Sequence, residues 1–178
     1  MEKAAVVELL EAIQFAAERH RTQRRKDVEA SPYVNHPIAL AHLLATAGEV
    51  TDLAVLKAAV LHDTLEDTET SESELRERFG DEVADLVLEV TDNKSLPKAR
   101  RKELQVEHAA VVSRGAALVK IADKVCNLRD LATSPPPDWP VERRQEYFDW
   151  ARRVVERLPV SNAGLEQAFE EAYRRRPK

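Results

Sequence analysis

A chain of 178 residues, 43% hydrophobic and 33% charged, is sized for one well-packed domain with a charged surface. Its net charge of −5 argues against a nucleic-acid polymer as partner, because proteins that ride phosphate backbones carry a basic excess. No stretch has the length and purity of a membrane span, the N-terminus opens on charge rather than a signal peptide, and one cysteine allows no internal disulfide, so a cytoplasmic protein is expected.

Only 4 glycines occur and no strictly alternating strand pattern is present, which favours an all-α fold. The first helix is predicted from about Lys3 to His20, with Val6, Leu9, Leu10, Ile13, Ala16 and Ala17 inward. A basic loop, Arg21 to Lys26 and on to Pro32, follows. A second helix starts near His36-Pro37, where proline suits the first helical position, and fades before Gly48. Thr51-Asp52 caps a third helix. Its Leu53-Ala-Val-Leu56 and Ala58-Ala-Val-Leu61 are apolar almost all round, the mark of a central buried helix.

That helix ends in His62-Asp63, and Thr64 to Thr68 reads as a loop. Ser71-Glu-Ser-Glu74 is a capping box for a short helix closed by Gly80, and Asp81 opens another to about Thr91. After a polar loop with Pro97, helices are expected over about 99–112 and 116–133. Beyond the stiff Ser134 to Asp138 connection, two more are expected over about 141–158 and 161–175. The sum is a single compact bundle of about eight to ten helices spanning residues 1–178, without repeat or linker.

Three polar features interrupt this apolar plan. His62 and Asp63 are adjacent, so their side chains diverge by about 100° within a helix and reach one ion together only where the helix stops. Taken alone, the pair is equally a helix-end histidine beside a solvated aspartate. Lys120, Asp123 and Asn127 recur at helical spacing on a greasy helix, forming a stripe that either lines a pocket or faces solvent with Lys124 and Arg129 beside it. His36 stands at a helix start, where a capping role is the plain alternative. Together, His36, His62, Asp63 and Asp123 offer two imidazoles and two carboxylates, a donor set suited to a divalent transition ion such as manganese. Such an ion lowers the pKa of bound water and withdraws charge from a phosphoryl oxygen. Glu66 and Asp67 follow Asp63 closely enough to orient or deprotonate that water.

The order His36, His62-Asp63, Asp123 resembles the metal signature of the HD superfamily. More narrowly, Gln23-Arg-Arg-Lys26, Pro32-Tyr-Val-Asn-His-Pro37, Leu61 to Thr68, Phe79-Gly80, Val90-Thr91 and Val119 to Arg129 resemble the hydrolase domain of RelA/SpoT proteins. Leu96-Pro-Lys98 and Gln145-Glu-Tyr147 are most similar to the stand-alone animal type of small alarmone hydrolase. The likeness runs from about Glu11 to Ala172.

This resemblance implies hydrolysis of the 3′-pyrophosphate of ppGpp or pppGpp, giving pyrophosphate and GDP or GTP, with one manganese ion bound. It implies His36, His62, Asp63 and Asp123 as metal ligands, Glu66 and Asp67 as the catalytic pair, and Arg25 near the base with Lys26 beside it. Tyr33, Lys98, Asn127, Arg143 and Tyr147 match positions near phosphates or ribose. A small-molecule nucleotide is thus the expected partner. The resemblance also allows the 2′-phosphate of NADPH as substrate, and a silent nucleotide-binding module is the non-enzymatic alternative. His20, His42 and His108 are expected in surface or packing roles, and Cys126 in the core. Trp139 and Trp150 are expected to anchor the C-terminal helices, and Arg174 to Lys178 to form a solvated tail.

Overall fold

The computed structural model describes residues 3–178, and among these it contains ten α-helical segments, a 3-10 turn and no β-strand. The helices are α1 (Lys3–Arg19), α2 (Asn35–Thr46), α3 (Leu53–Leu61), the single turn α4 (Thr64–Asp67), α5 (Glu72–Phe79) and α6 (Asp81–Val90). They continue as α7 (Lys98–His108), α8 (Arg114–Thr133), α9 (Val141–Val155) and α10 (Ala163–Tyr173). No described helix is long and apolar enough to cross a membrane.

Helix α3 is the axis. Asp52 caps it by accepting from the amides of Ala54 and Val55, and every residue from Val55 to Leu61 is buried. It packs against α1, α2, α6 and α8, so the polar residues at its end are delivered to the interior. Helix α8 is the second buried element, its Ser113 cap accepting from Ala116 and its apolar residues facing α2, α3, α6 and α10.

The inner face of α1 differs from expectation. Ala12, Phe15 and Ala16 are buried, whereas Val6 and Leu10 are exposed because the first turns overhang the body. Residues 64–67, expected as loop, form α4. The Thr64 hydroxyl donates to the Leu61 carbonyl at 2.7 Å and the Thr68 hydroxyl to the Thr64 carbonyl at 2.6 Å, tying the break together. The capping box is half made: Ser71 accepts from the Glu74 amide, but the Glu74 carboxylate pairs with Arg19. The C-terminal tail is pinned rather than solvated, since Arg176 donates two hydrogen bonds of 2.8 Å to Asp149.

Candidate active site

Three elements converge on one point: the start of α2 brings His36, the end of α3 brings His62, and the middle of α8 brings Asp123. One donor atom from each lies within 4.8 Å of the other two. The His62 ring is set by its own helix, because Nδ1 donates to the Ala59 carbonyl at 2.8 Å. That bond leaves Nε2 as the free donor, buried and without a hydrogen bond. His36 Nε2 stands 3.1 Å from Asp123 Oδ1. Two imidazole nitrogens and a carboxylate oxygen gathered this closely fit a divalent cation.

Asp63 flanks this trio instead of forming a fourth mutually close point. Its Oδ2 is 2.9 Å from His62 Nε2 and accepts the Tyr33 hydroxyl. The helix break places it there: α3 stops at Leu61 and α4 starts at Thr64, so adjacent residues both turn inward. Electrostatics bind the group tightly. Burial alone would lower His62, but the Asp63 and Asp123 carboxylates raise it to about 9. Burial would raise Asp63, yet the His62 ring holds it below the usual carboxylate range. Asp123 is likewise held down against burial by Lys124 and His36. His36, where burial dominates, titrates below an ordinary histidine. A cation entering here replaces a proton as the carboxylates' partner.

The α4 turn sends Glu66 and Asp67 in different directions. Glu66 accepts from the Asp92 amide at 3.1 Å and from Arg101 at 3.3 Å, and burial, with Asp63 next, raises its carboxyl above the ordinary value. Asp67 accepts from Gln23 Nε2 at 2.8 Å and from Lys94. Sequence reasoning missed Gln23, Lys94 and Arg101 as holders of this pair. Only the polar character of residues 92–98 and the Gln23 motif hinted at them.

A cleft of about 310 Å³ adjoins the site, lined by Arg25, Lys26, Tyr33, Asp67, Asn127, Trp139 and Tyr147 among others. The basic loop is folded against itself, with Arg25 N donating to the Ser31 carbonyl at 2.9 Å and Tyr33 N to the Gln23 carbonyl at 3.1 Å. Arg25 is thereby aimed at α8, donating to Asn127 Oδ1 at 3.1 Å and to Asp130 at 2.5 Å. Asn127 in turn donates to Asp123 at 2.6 Å, linking cleft to cluster. Lys98 and Arg143 are not wall residues; both lie over the Trp139 ring, at 5.6 and 4.2 Å. Trp139, expected as an anchor, therefore walls the cleft and carries two cations, while Trp150 is the buried anchor, its Nε1 donating to the Lys102 carbonyl.

Two lysines complete the surroundings. Lys124, the flank of the stripe in one reading, is 4% exposed, donates to Asp123 Oδ2 at 2.9 Å and lies 4.5 Å from the Trp150 ring centre. Lys120 is 7% exposed, and burial with the Lys124 charge lowers it to about 8. His20 and Cys126 are buried, His20 bonded to Gln23 and packed on the Tyr33 ring.

The chain matches the HD domain family model over residues 12–152. It is 53% identical to a zebrafish (Danio rerio) protein named guanosine-3′,5′-bis(diphosphate) 3′-pyrophosphohydrolase MESH1, over 93% of this chain and 92% of that one. The human protein of the same name is 53% identical, with 95% and 94% covered. A solved structure described as a metazoan ortholog of SpoT that hydrolyzes ppGpp superposes with a TM-score of 0.91 at 48% identity, covering 95% of both chains. The chain therefore belongs to the HD-domain family, in its RelA/SpoT-type branch beside the MESH1 proteins.

Proposed function

We propose that this protein is a cytoplasmic, single-domain, manganese-dependent phosphohydrolase that removes the 3′-pyrophosphate of ppGpp. The observation that carries the reading is the convergence of His36, His62 and Asp123 within 4.8 Å, beside a cation-bearing cleft. The relatives named as guanosine-3′,5′-bis(diphosphate) 3′-pyrophosphohydrolases support the choice of substrate.

His36, His62 and Asp123 would hold the metal, with Asp63, oriented by the Tyr33 hydroxyl, beside them. When bound, manganese acidifies water and draws charge from a phosphoryl oxygen. Glu66 then accepts the proton of the attacking water. The water oxygen bonds to the phosphorus attached at the ribose 3′-oxygen, the bond from that phosphorus to the 3′-oxygen breaks, and the 3′-oxygen takes up a proton. GDP and pyrophosphate leave. Asp67, fixed by Gln23 and Lys94, orients the water or the ribose end of the substrate. Arg25 and Lys26 meet the base and its neighbouring phosphate, and Tyr33, Asn127 and Tyr147 line the ribose. Lys98 and Arg143 draw the remaining phosphates toward Trp139.

The test is a comparison of kcat/KM on ppGpp and NADPH with manganese supplied, separating pyrophosphate from phosphate release. Pyrophosphate from ppGpp is expected to dominate. Preference for NADPH would transfer the site to a 2′-phosphatase, and inertness toward both would leave a binding module.

A further inference from the structure

Distinct from the nucleotide cleft, and sharing no lining residue with it, is a chamber of about 60 Å³ walled by His62, Asp63, Glu66, Asp123, Lys120 and Lys124. At about 30 Å³ per molecule, it holds on the order of two waters.

Of the two chamber lysines, Lys124 is accounted for by Asp123 and Trp150. Lys120 is not. It is 93% buried, being 7% exposed, and makes no hydrogen bond or ion pair with a described residue. An ammonium so largely covered and without a direct protein partner costs stability. Compensation comes from the field of the Asp92, Asp123 and Glu66 carboxylates, of which Asp123 and Glu66 line the chamber.

Resting on the alarmone-hydrolase reading, we propose that Lys120 is a further catalytic residue, donating from Nζ to the oxygen of the attacking water inside this chamber. In-line displacement needs the nucleophile opposite the leaving oxygen. Glu66 lines this chamber together with His62, Asp63 and Asp123, so a water held there is within reach of both the base and the cation site. Glu66, on the same wall, takes the water's proton. Lys120 stabilises the negative charge that develops on the oxygen as the proton leaves, before that charge passes to the phosphoryl group with formation of the bond to phosphorus. A fixed donor aimed at developing charge in a water-poor space is the arrangement that lowers a barrier most. The burial cost of Lys120 is then met by function rather than by packing.

The test is Lys120→Met in the full chain, which keeps the stem volume and removes the charge. Turnover of ppGpp with manganese, the melting temperature, and binding of GDP by calorimetry are measured beside the parent protein. The expected result is a loss in kcat of about 10²-fold with KM and GDP affinity within about twofold, and a melting temperature equal to or above the parent's. A kcat within about threefold of an active parent overturns the inference alone. A fall in kcat accompanied by lower melting temperature and weaker GDP binding overturns it too, by making Lys120 structural. An inactive parent removes the substrate reading itself.

Discussion

His36 Nε2 lies 3.1 Å from Asp123 Oδ1, joining the first turn of α2 to the middle of α8 across 87 residues of sequence. Asp123 is held from outside the pair, accepting from Lys124 and Asn127 as well, and His36 is buried at the start of α2. The carboxylate is therefore aimed before any cation arrives. Asp123→Ala is expected to leave the bundle folded and remove stoichiometric manganese, lowering turnover about 10³-fold, equivalent to about 4 kcal/mol of transition-state stabilisation. Metal analysis of the purified variant checks the first point, and retention of one ion per chain would contradict it.

Tyr33 ties the basic loop to Asp63, and its hydroxyl titrates above its usual range because it is buried beside that carboxylate. In Tyr33→Phe the ring still packs on His20 while the hydrogen bond is lost. Activity or metal affinity is expected to fall about 10- to 100-fold, the usual effect of removing a group that orients a ligand. Steady-state kinetics across a manganese titration reads this. An unchanged titration would free Asp63 from any dependence on Tyr33.

Glu66 carries the pH dependence. Burial, then Asp63, raises its carboxyl above the ordinary 4.5. A raised value means the carboxyl stays protonated, and unable to accept water's proton, to a higher pH than an exposed glutamate. The acid limb of kcat at saturating manganese is expected to have its midpoint above 4.5, with activity lost as pH falls through it. A midpoint at or below that value would remove Glu66 from the proton transfer.

Gly164 tests the packing that supports α8 from behind. A methyl group there would meet the Ala47 carbonyl oxygen at 1.8 Å, a clash with backbone that no rotamer relieves. Gly164→Ala is expected to cost about 3 kcal/mol and lower Tm on the order of 10 °C. A melting curve matching the parent would show that α10 can shift without penalty.

The all-α class and the central position of α3 were legible because the run from Leu53 to Leu61 is apolar but for Lys57. His36, His62 and Asp123 were legible because their chemistry is out of place in such surroundings. The α4 turn was hidden, since threonine hydroxyls bonded to backbone carbonyls make it, and propensity does not register them. The inner face of α1 was misjudged because periodicity cannot tell a buried turn from one that overhangs the body. Gln23, Lys94 and Arg101 escaped notice for a different reason: they reach Asp67 and Glu66 across 44, 27 and 35 residues, and such pairings exist only once the chain is folded. Lys124 read as a solvent flank because a lysine covered by Trp150 looks the same in sequence as an exposed one.

The most direct measurement is pyrophosphate release from ppGpp by the purified protein, with manganese present and then with the metal chelated. Release of one pyrophosphate per GDP formed, abolished by chelator and restored by added manganese, is the predicted result. Release that persists unchanged with the metal withdrawn, or no release with the metal in excess, would contradict it.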